Sequence, residues 1–211
     1  MTTVVRRRTQ AERTAGTRAL LLDATVETLV ELGYAGTTTT EVTRRARLSP
    51  GALLHHFPTK RDLLVAAMNY LFERRLTEFR LAMAARDRDA DRLDSALDLL
   101  WSMFAGPTFV AWVELRMAAR TDPDLAAAVL GLDEDFQAAS EEIARDLFAD
   151  DPVMRDPQFL RTALTLTFTL LDGLALGNLL PARRPVSPEQ ILGVFKALVR
   201  DSLARPQEVP A

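Results

Sequence analysis

His55 and His56 are the only histidines among 211 residues, and cysteine is absent. Without thiols there is no disulfide scaffold, thiol nucleophile, thiolate zinc site or iron–sulfur cluster. A Ser-His-Asp triad or a histidine metal centre would have to use one of these two adjacent imidazoles. Neighbouring helical residues diverge by about 100°, and no other ligand types cluster beside the pair, so no metal is expected. The patterns G-x-G-x-x-G, G-x-S-x-G and H-E-x-x-H do not occur. Their phosphate cradle, nucleophile elbow and zinc-protease chemistry go with them. A carboxylate pair such as Glu114 with Asp172 is the enzymatic alternative, and no motif supports it. The expectation is a non-enzyme that needs no cofactor.

The residue types favour contact with a polyanion instead. Residues 1–61 hold ten Arg/Lys against five Asp/Glu, a balance of +5. Residues 62–211 hold 16 against 24, a balance of −8. A basic head joined to an acidic body suits a protein whose head meets nucleic acid and whose body does something else. With 48% apolar and 26% charged residues, the chain has the composition of a globular protein rather than a disordered one. No apolar run follows Arg6, Arg7 and Arg8, so no signal peptide is read and a cytoplasmic protein is expected. Thr162 to Leu180 carries a single charge, Asp172, but also Thr162, Thr165, Thr167, Thr169 and Asn178. That stretch reads as a buried or interfacial helix and not as a membrane span.

The elements that must position these residues are helices. Leu22, Val26 and Leu29 recur at helical spacing over residues 10–32, and Gly33 ends the run. Thr38 to Glu41 is an S/T-x-x-E capping box opening a short helix. Ser49-Pro50 starts a third helix to Phe57, and Thr59-Lys60-Arg61-Asp62 caps a fourth to about Ala85. Further helices are read over Asp91–Ala105, Thr108–Arg120, Pro123–Phe148, Gln158–Leu180 and Glu189–Leu203, with a frayed tail from Ala204. Leu164 to Leu170 alternates like a strand, yet it has no strand to pair with and is read as helix. The fold class is all-α, with about nine helices. An N-terminal three-helix domain occupies residues 1–61, and a larger helical body occupies 62–211.

Two short helices and a tight turn, braced by a longer first helix, describe a helix-turn-helix. Val42 with Ala46, and Leu53 with Phe57, lie i, i+4 and can pack together with Leu48. The third helix then shows Ala52, His55 and His56 outward, as a helix in the DNA major groove would. Arg44, Arg45, Arg47 and Lys60 surround it and can neutralise phosphates. Arg6 to Arg8 form either an arm on DNA or a solvated tail.

Gly33-Tyr34-Ala35-Gly36-Thr37-Thr38-Thr39-Thr40-Glu41-Val42, then Arg45-Ala46-Arg47-Leu48-Ser49, then Gly51-Ala52-Leu53-Leu54-His55-His56-Phe57-Pro58-Thr59-Lys60, resembles the DNA-binding signature of the TetR family. The match covers about residues 10–65. The resemblance implies a homodimeric repressor that grips a palindromic operator in double-stranded DNA and answers to a small molecule held in its C-terminal domain. Carried onto this chain, the DNA-contacting positions are Thr38, Thr39, Arg44, Ser49, Gly51, Ala52, Leu54, His55, His56 and Lys60. Arg47 stands where the family usually has glycine, and Leu54 where it commonly has tyrosine. Pro50, Gly51 and Ala52 offer no polar side chain to bases, so thymine-methyl contact and DNA shape must carry more of the reading. A weakly sequence-specific, architectural DNA-binding protein is the alternative.

The body offers two further sets of candidates. Trp101, Phe104, Phe109, Trp112 and Met117, with Phe168 and Asp172, are the expected lining of a largely apolar effector site. Glu114 and Arg116 are further polar candidates there, or part of a surface ion-pair ladder with Arg120. Leu164, Leu171, Gly173, Gly177, Ile191, Phe195 and Leu198 on the last two helices are the expected dimer interface, two helices from each chain forming a four-helix bundle. The alternative is that these helices fill the core of one protomer.

Overall fold

Helix ends are set locally, by side chains that satisfy the first free backbone amides. The computed structural model describes residues 9–87, 91–179 and 185–204, and among them nine helices and no strand. They are α1 (Gln10–Gly36), α2 (Thr39–Ala46), α3 (Pro50–His56), α4 (Lys60–Ala85), α5 (Arg92–Phe104), α6 (Thr108–Ala119), α7 (Pro123–Leu147), α8 (Pro157–Asn178) and α9 (Pro188–Ala204). The arginine run Arg6–Arg8, the expected helix end at Leu180 and the tail beyond Ala204 lie outside the described residues.

Reciprocal capping boxes start α1, α4 and α9. Thr9 and Glu12 exchange bonds at α1. Thr59 and Asp62 do so at α4, and Ser187 and Gln190 at α9. The expected box at α2 forms only by half. Thr38 Oγ1 accepts the Glu41 amide at 3.2 Å. The Glu41 carboxylate does not reach back, because Arg44 and Arg45 hold it. The strand-like stretch is helical within α8. The hydroxyls of Thr162, Thr165, Thr167 and Thr169 each donate to the carbonyl four residues earlier at 2.8 Å. That back-bonding lets β-branched residues sit in a helix with their hydroxyls satisfied.

The residues form two compact units. The first runs up to Glu73 and includes Val110–Leu132. It therefore extends past the expected boundary at residue 61 and takes in most of α6. Its core joins Leu21 and Leu22 of α1, Val42 of α2, Leu53 of α3, and Leu63 and Ala67 of α4. The second holds Arg74–Phe109 and the residues from Asp133 onward. It packs Phe79, Met83, Ala96 and Ile143 in one cluster, and Leu97, Leu171, Leu192 and Phe195 in another. By length and composition α8 could cross a bilayer. Here it buries Leu160, Thr167, Leu171, Leu174 and Ala175.

Candidate nucleic-acid interface

The apolar pairs of the short helices decide which side of α3 faces out. Val42 and Leu53 sit in the core, Phe57 closes α3 from its C-terminal end, and Ala46 and Leu48 pack against them. With Leu53 inward, Gly51, Leu54 and His55 are exposed, and Ala52 and His56 are half-buried. The two imidazoles meet edge to face at 5.4 Å. At the head of the helix the Ser49 hydroxyl accepts the Ala52 amide at 3.2 Å. Thr38 is exposed at the start of α2 and Thr39 is half-buried behind it. The outward face of α3 thus presents imidazoles and aliphatic groups to a groove, without an amide or guanidinium for bidentate base contact.

The cations around this face have unequal freedom. Arg44 is clamped by Glu41 through two bonds of 2.8 and 2.6 Å. Arg45 lies 2.8 Å from Glu41 and 2.7 Å from Glu31. The hydrogen bonds from Arg44 and Arg45 hold the Glu41 carboxyl down at about 2; the bond to Glu41 raises the Arg44 guanidinium pKa, and the bonds to Glu31 first and Glu41 second raise that of Arg45. Lys60 donates to the Tyr34 carbonyl at 2.9 Å and rests over the Tyr34 ring at 4.1 Å. Its partial burial lowers its ammonium pKa below the ordinary value. Three of the four cations expected to meet phosphates therefore already have partners within the chain. Glu41 lies three and four residues before the arginines it binds, the helical spacing at which such pairs form, whereas Glu31 and the Tyr34 carbonyl are partners that spacing does not point to.

Arg47 is the fourth. It ends α2 with φ 55° and ψ 42°, the left-handed conformation. Its amide donates to the Arg44 carbonyl, and the Leu48 amide to the Thr43 carbonyl at 3.0 Å. That is a Schellman ending, which requires a left-handed residue. A residue with a Cβ there costs about 1–2 kcal/mol. Arginine at this position, where the family usually has glycine, therefore carries backbone strain.

A second residue with positive φ supports the same unit. α1 breaks at Gly33, with φ 67° and ψ −176°. The Tyr34 amide released by the break donates to Glu114 Oε2 of α6 at 2.8 Å. Glu114 therefore braces the first unit. Nothing in the sequence pairs residues 80 positions apart. Arg116 stacks over Trp112 at 5.5 Å.

The effector candidates are only partly brought together. Phe104 stacks on Phe168 at 6.0 Å and tilts against Phe109 at 5.7 Å. Phe136, absent from the expected set, meets Phe168 at 5.5 Å. Trp101 packs beside Leu97 and Leu171, and Asp172 is half-buried on α8. Trp112 and Met117 belong to the first unit: Trp112 meets Phe72 edge to face at 4.9 Å, and Met117 is exposed. The expected dimer residues also divide. Leu171 and Phe195, 0% and 8% exposed, are core residues of the protomer, which corrects their assignment to a partner-facing surface. Leu164 packs against the cluster of Ala144, Met154 and Leu160. Ile191 and Gly177 are half-buried, and Gly173 is exposed. Leu198 and Val194, at 61% and 63%, are the strongly exposed apolar residues of α9, and Leu166 and Leu176 are their counterparts on α8. Helical rotation of about 100° per residue separates these faces, and the sequence does not say which one a neighbour covers.

This geometry can be set beside known proteins. The family model for bacterial regulatory proteins of the tetR family matches residues 21–67. An HTH-type transcriptional regulator of Mycobacterium tuberculosis is 32% identical over 197 residues, covering 93% of this chain and 99% of that protein. The chain belongs to the TetR family. The HTH-type transcriptional regulator CymR of Pseudomonas putida is likewise 32% identical, over 82% of this chain and 85% of its own. A solved transcriptional regulator of Rhodococcus sp. shares the fold at 20% identity and a TM-score of 0.65, with 90% and 99% of the two chains aligned. As a TetR-family member the protein is a DNA-binding transcriptional regulator and not an enzyme. TetR-family regulators bind DNA, act as dimers and respond to small-molecule effectors.

Proposed function

We propose that this TetR-family regulator is a homodimeric cytoplasmic repressor that holds a palindromic operator and lets go when a small, largely apolar ligand binds. The observation that carries the reading is the outward face of α3. Leu53 and Phe57 anchor the helix inward and leave Gly51, Ala52, Leu54, His55 and His56 toward a groove. Thr38, Thr39 and Ser49 at two helix starts, with Arg44 and Lys60 nearby, serve as phosphate contacts once DNA competes for their present partners. Base reading then rests on imidazole hydrogen bonds, contact with thymine methyls and DNA shape.

For dimerisation, the support is the exposed apolar set Leu166, Leu176, Val194 and Leu198, joined by Gly173. Two helices from each protomer would make a four-helix bundle and place two heads on half-sites about one DNA turn, or a multiple, apart. For the effector, the support is the aromatic group Phe104, Phe109, Phe136 and Phe168 beside Trp101, with Asp172 as a polar neighbour on α8. Ligand and operator then oppose each other by equal coupling free energies. Helix α4, which carries the chain from Lys60 in the first unit to Ala85 in the second, is the path between them.

The test is selection of random duplex DNA by purified protein at moderate salt, repeated after unfolding and refolding to strip any ligand. A palindromic consensus is expected. Equal recovery of all sequences by the stripped protein would overturn the reading and favour a weakly specific, architectural binder.

A further inference from the structure

Arg47 combines three properties that no other residue of the head shares. It is the one non-glycine residue with positive φ among the described residues. Its side chain is exposed and, among the described residues, meets no carboxylate or hydrogen-bond acceptor, whereas Arg44 and Arg45 are both neutralised by glutamates. It also stands two residues before Ser49, the N-cap of α3. The Schellman ending of α2 demands a left-handed backbone, for which glycine is best suited and an arginine's Cβ is a burden. Backbone strain of this kind persists only where the surrounding structure over-determines it, and it clusters at functional sites. Placement near the C-terminal end of α2 would let the cation ease the helix dipole, but the effect of that at an exposed site is small, and Arg44 and Arg45 already stand in the last turn of α2.

We propose that Arg47 is a dedicated DNA-phosphate contact, held at a glycine-favouring turn so that each head keeps one unneutralised guanidinium at the entrance of its recognition helix. The inference rests on the regulator reading above and adds to it a division among the cations. Arg44, Arg45 and Lys60 are occupied within the free protein and must exchange partners to meet DNA. Arg47 has none to exchange among the described residues, so it acts at first encounter and in non-specific as well as specific binding. Phosphate contacts of this kind orient the protein and carry no base preference.

The experiment compares wild type with Arg47→Gly and Arg47→Lys, using the selected operator duplex and an unrelated duplex over a range of salt. Arg47→Gly relieves the backbone and removes the charge. It is expected to raise the melting temperature while weakening both duplexes alike, by roughly 5-fold for each phosphate left without its cation near physiological salt. The plot of log affinity against log salt should flatten by about 0.9 per protomer. Arg47→Lys keeps the charge and the strain, so it should retain the wild-type slope and melting temperature. An Arg47→Gly protein with unchanged affinity and slope overturns the inference, as does one whose affinity falls for the operator alone. Those results leave the regulator reading standing, since that reading fails only if wild type itself selects no sequence.

Discussion

A methyl group added at Gly33 probes the brace between α1 and α6 at its tightest point. The residue has φ 67° and ψ −176°, a region that essentially only glycine enters. Forcing alanine into it costs about 1–3 kcal/mol. The new Cβ would lie 2.8 Å from Glu114 Oε2 and 3.2 Å from Glu114 Cδ. The carboxylate must swing away, and with it goes the 2.8 Å bond from the Tyr34 amide. A hydrogen bond to a charged group contributes about 1.5–3 kcal/mol. Gly33→Ala should therefore destabilise by about 2.5–6 kcal/mol, a large part of the ~5–15 kcal/mol typical of a folded domain. Urea unfolding followed by helical circular dichroism, at one fixed protein concentration, measures this. In a Glu114→Ala background the same substitution should cost only the backbone part, about 1–3 kcal/mol. A Gly33→Ala protein within about 1 kcal/mol of wild type, or strictly additive single and double variants, would refute the argument.

Three further perturbations separate neighbouring roles. Arg44 and Arg45 hold the Glu41 carboxyl at about 2, below its ordinary 4.5, so its stabilising contribution is full above the ordinary value and fades as pH falls from there toward 2. Thermal melts of wild type and Glu41→Gln from pH 6 down to pH 2 should show wild type the more stable at pH 6 and the gap closing in acid; a gap that does not change with pH would sink this account. Leu171→Ala, in the protomer core, should lose about 2–5 kcal/mol of stability. Leu198→Asp, on the exposed face, should leave the helical signal intact and shift sedimentation from dimer to monomer. A stable, monomeric Leu171→Ala protein would show that the faces of α8 were assigned the wrong way round.

Much of this architecture is written in short-range chemistry. Thr59 with Asp62 and Ser187 with Gln190 cap helices because both partners lie within one turn, so the bond is implied by spacing alone. Val42, Ala46, Leu48, Leu53 and Phe57 meet because i, i+4 pairs on two short helices have few ways to pack. The threonines of α8 looked like a strand because period-2 alternation records residue type and not where a hydroxyl bonds; donation to the carbonyl four residues back removes the conflict.

Local order along the chain thus determined the helices, most of their starts and the helix-turn-helix. Tertiary structure alone decided the long-range partners of the charged groups. Glu114 finds the Tyr34 amide across 80 residues, Lys60 finds the Tyr34 carbonyl across 26, and Arg45, beside its local partner Glu41, finds Glu31 of α1. It also decided that Leu171 and Phe195 turn inward while Val194 and Leu198 turn outward on similarly apolar helices. The physical reason is range. A cap or an i, i+4 pair depends on backbone geometry that every helix shares. The partner of a carboxylate, or the buried side of an apolar helix, depends on which distant segment packs against it, and composition and spacing carry no coordinate for that.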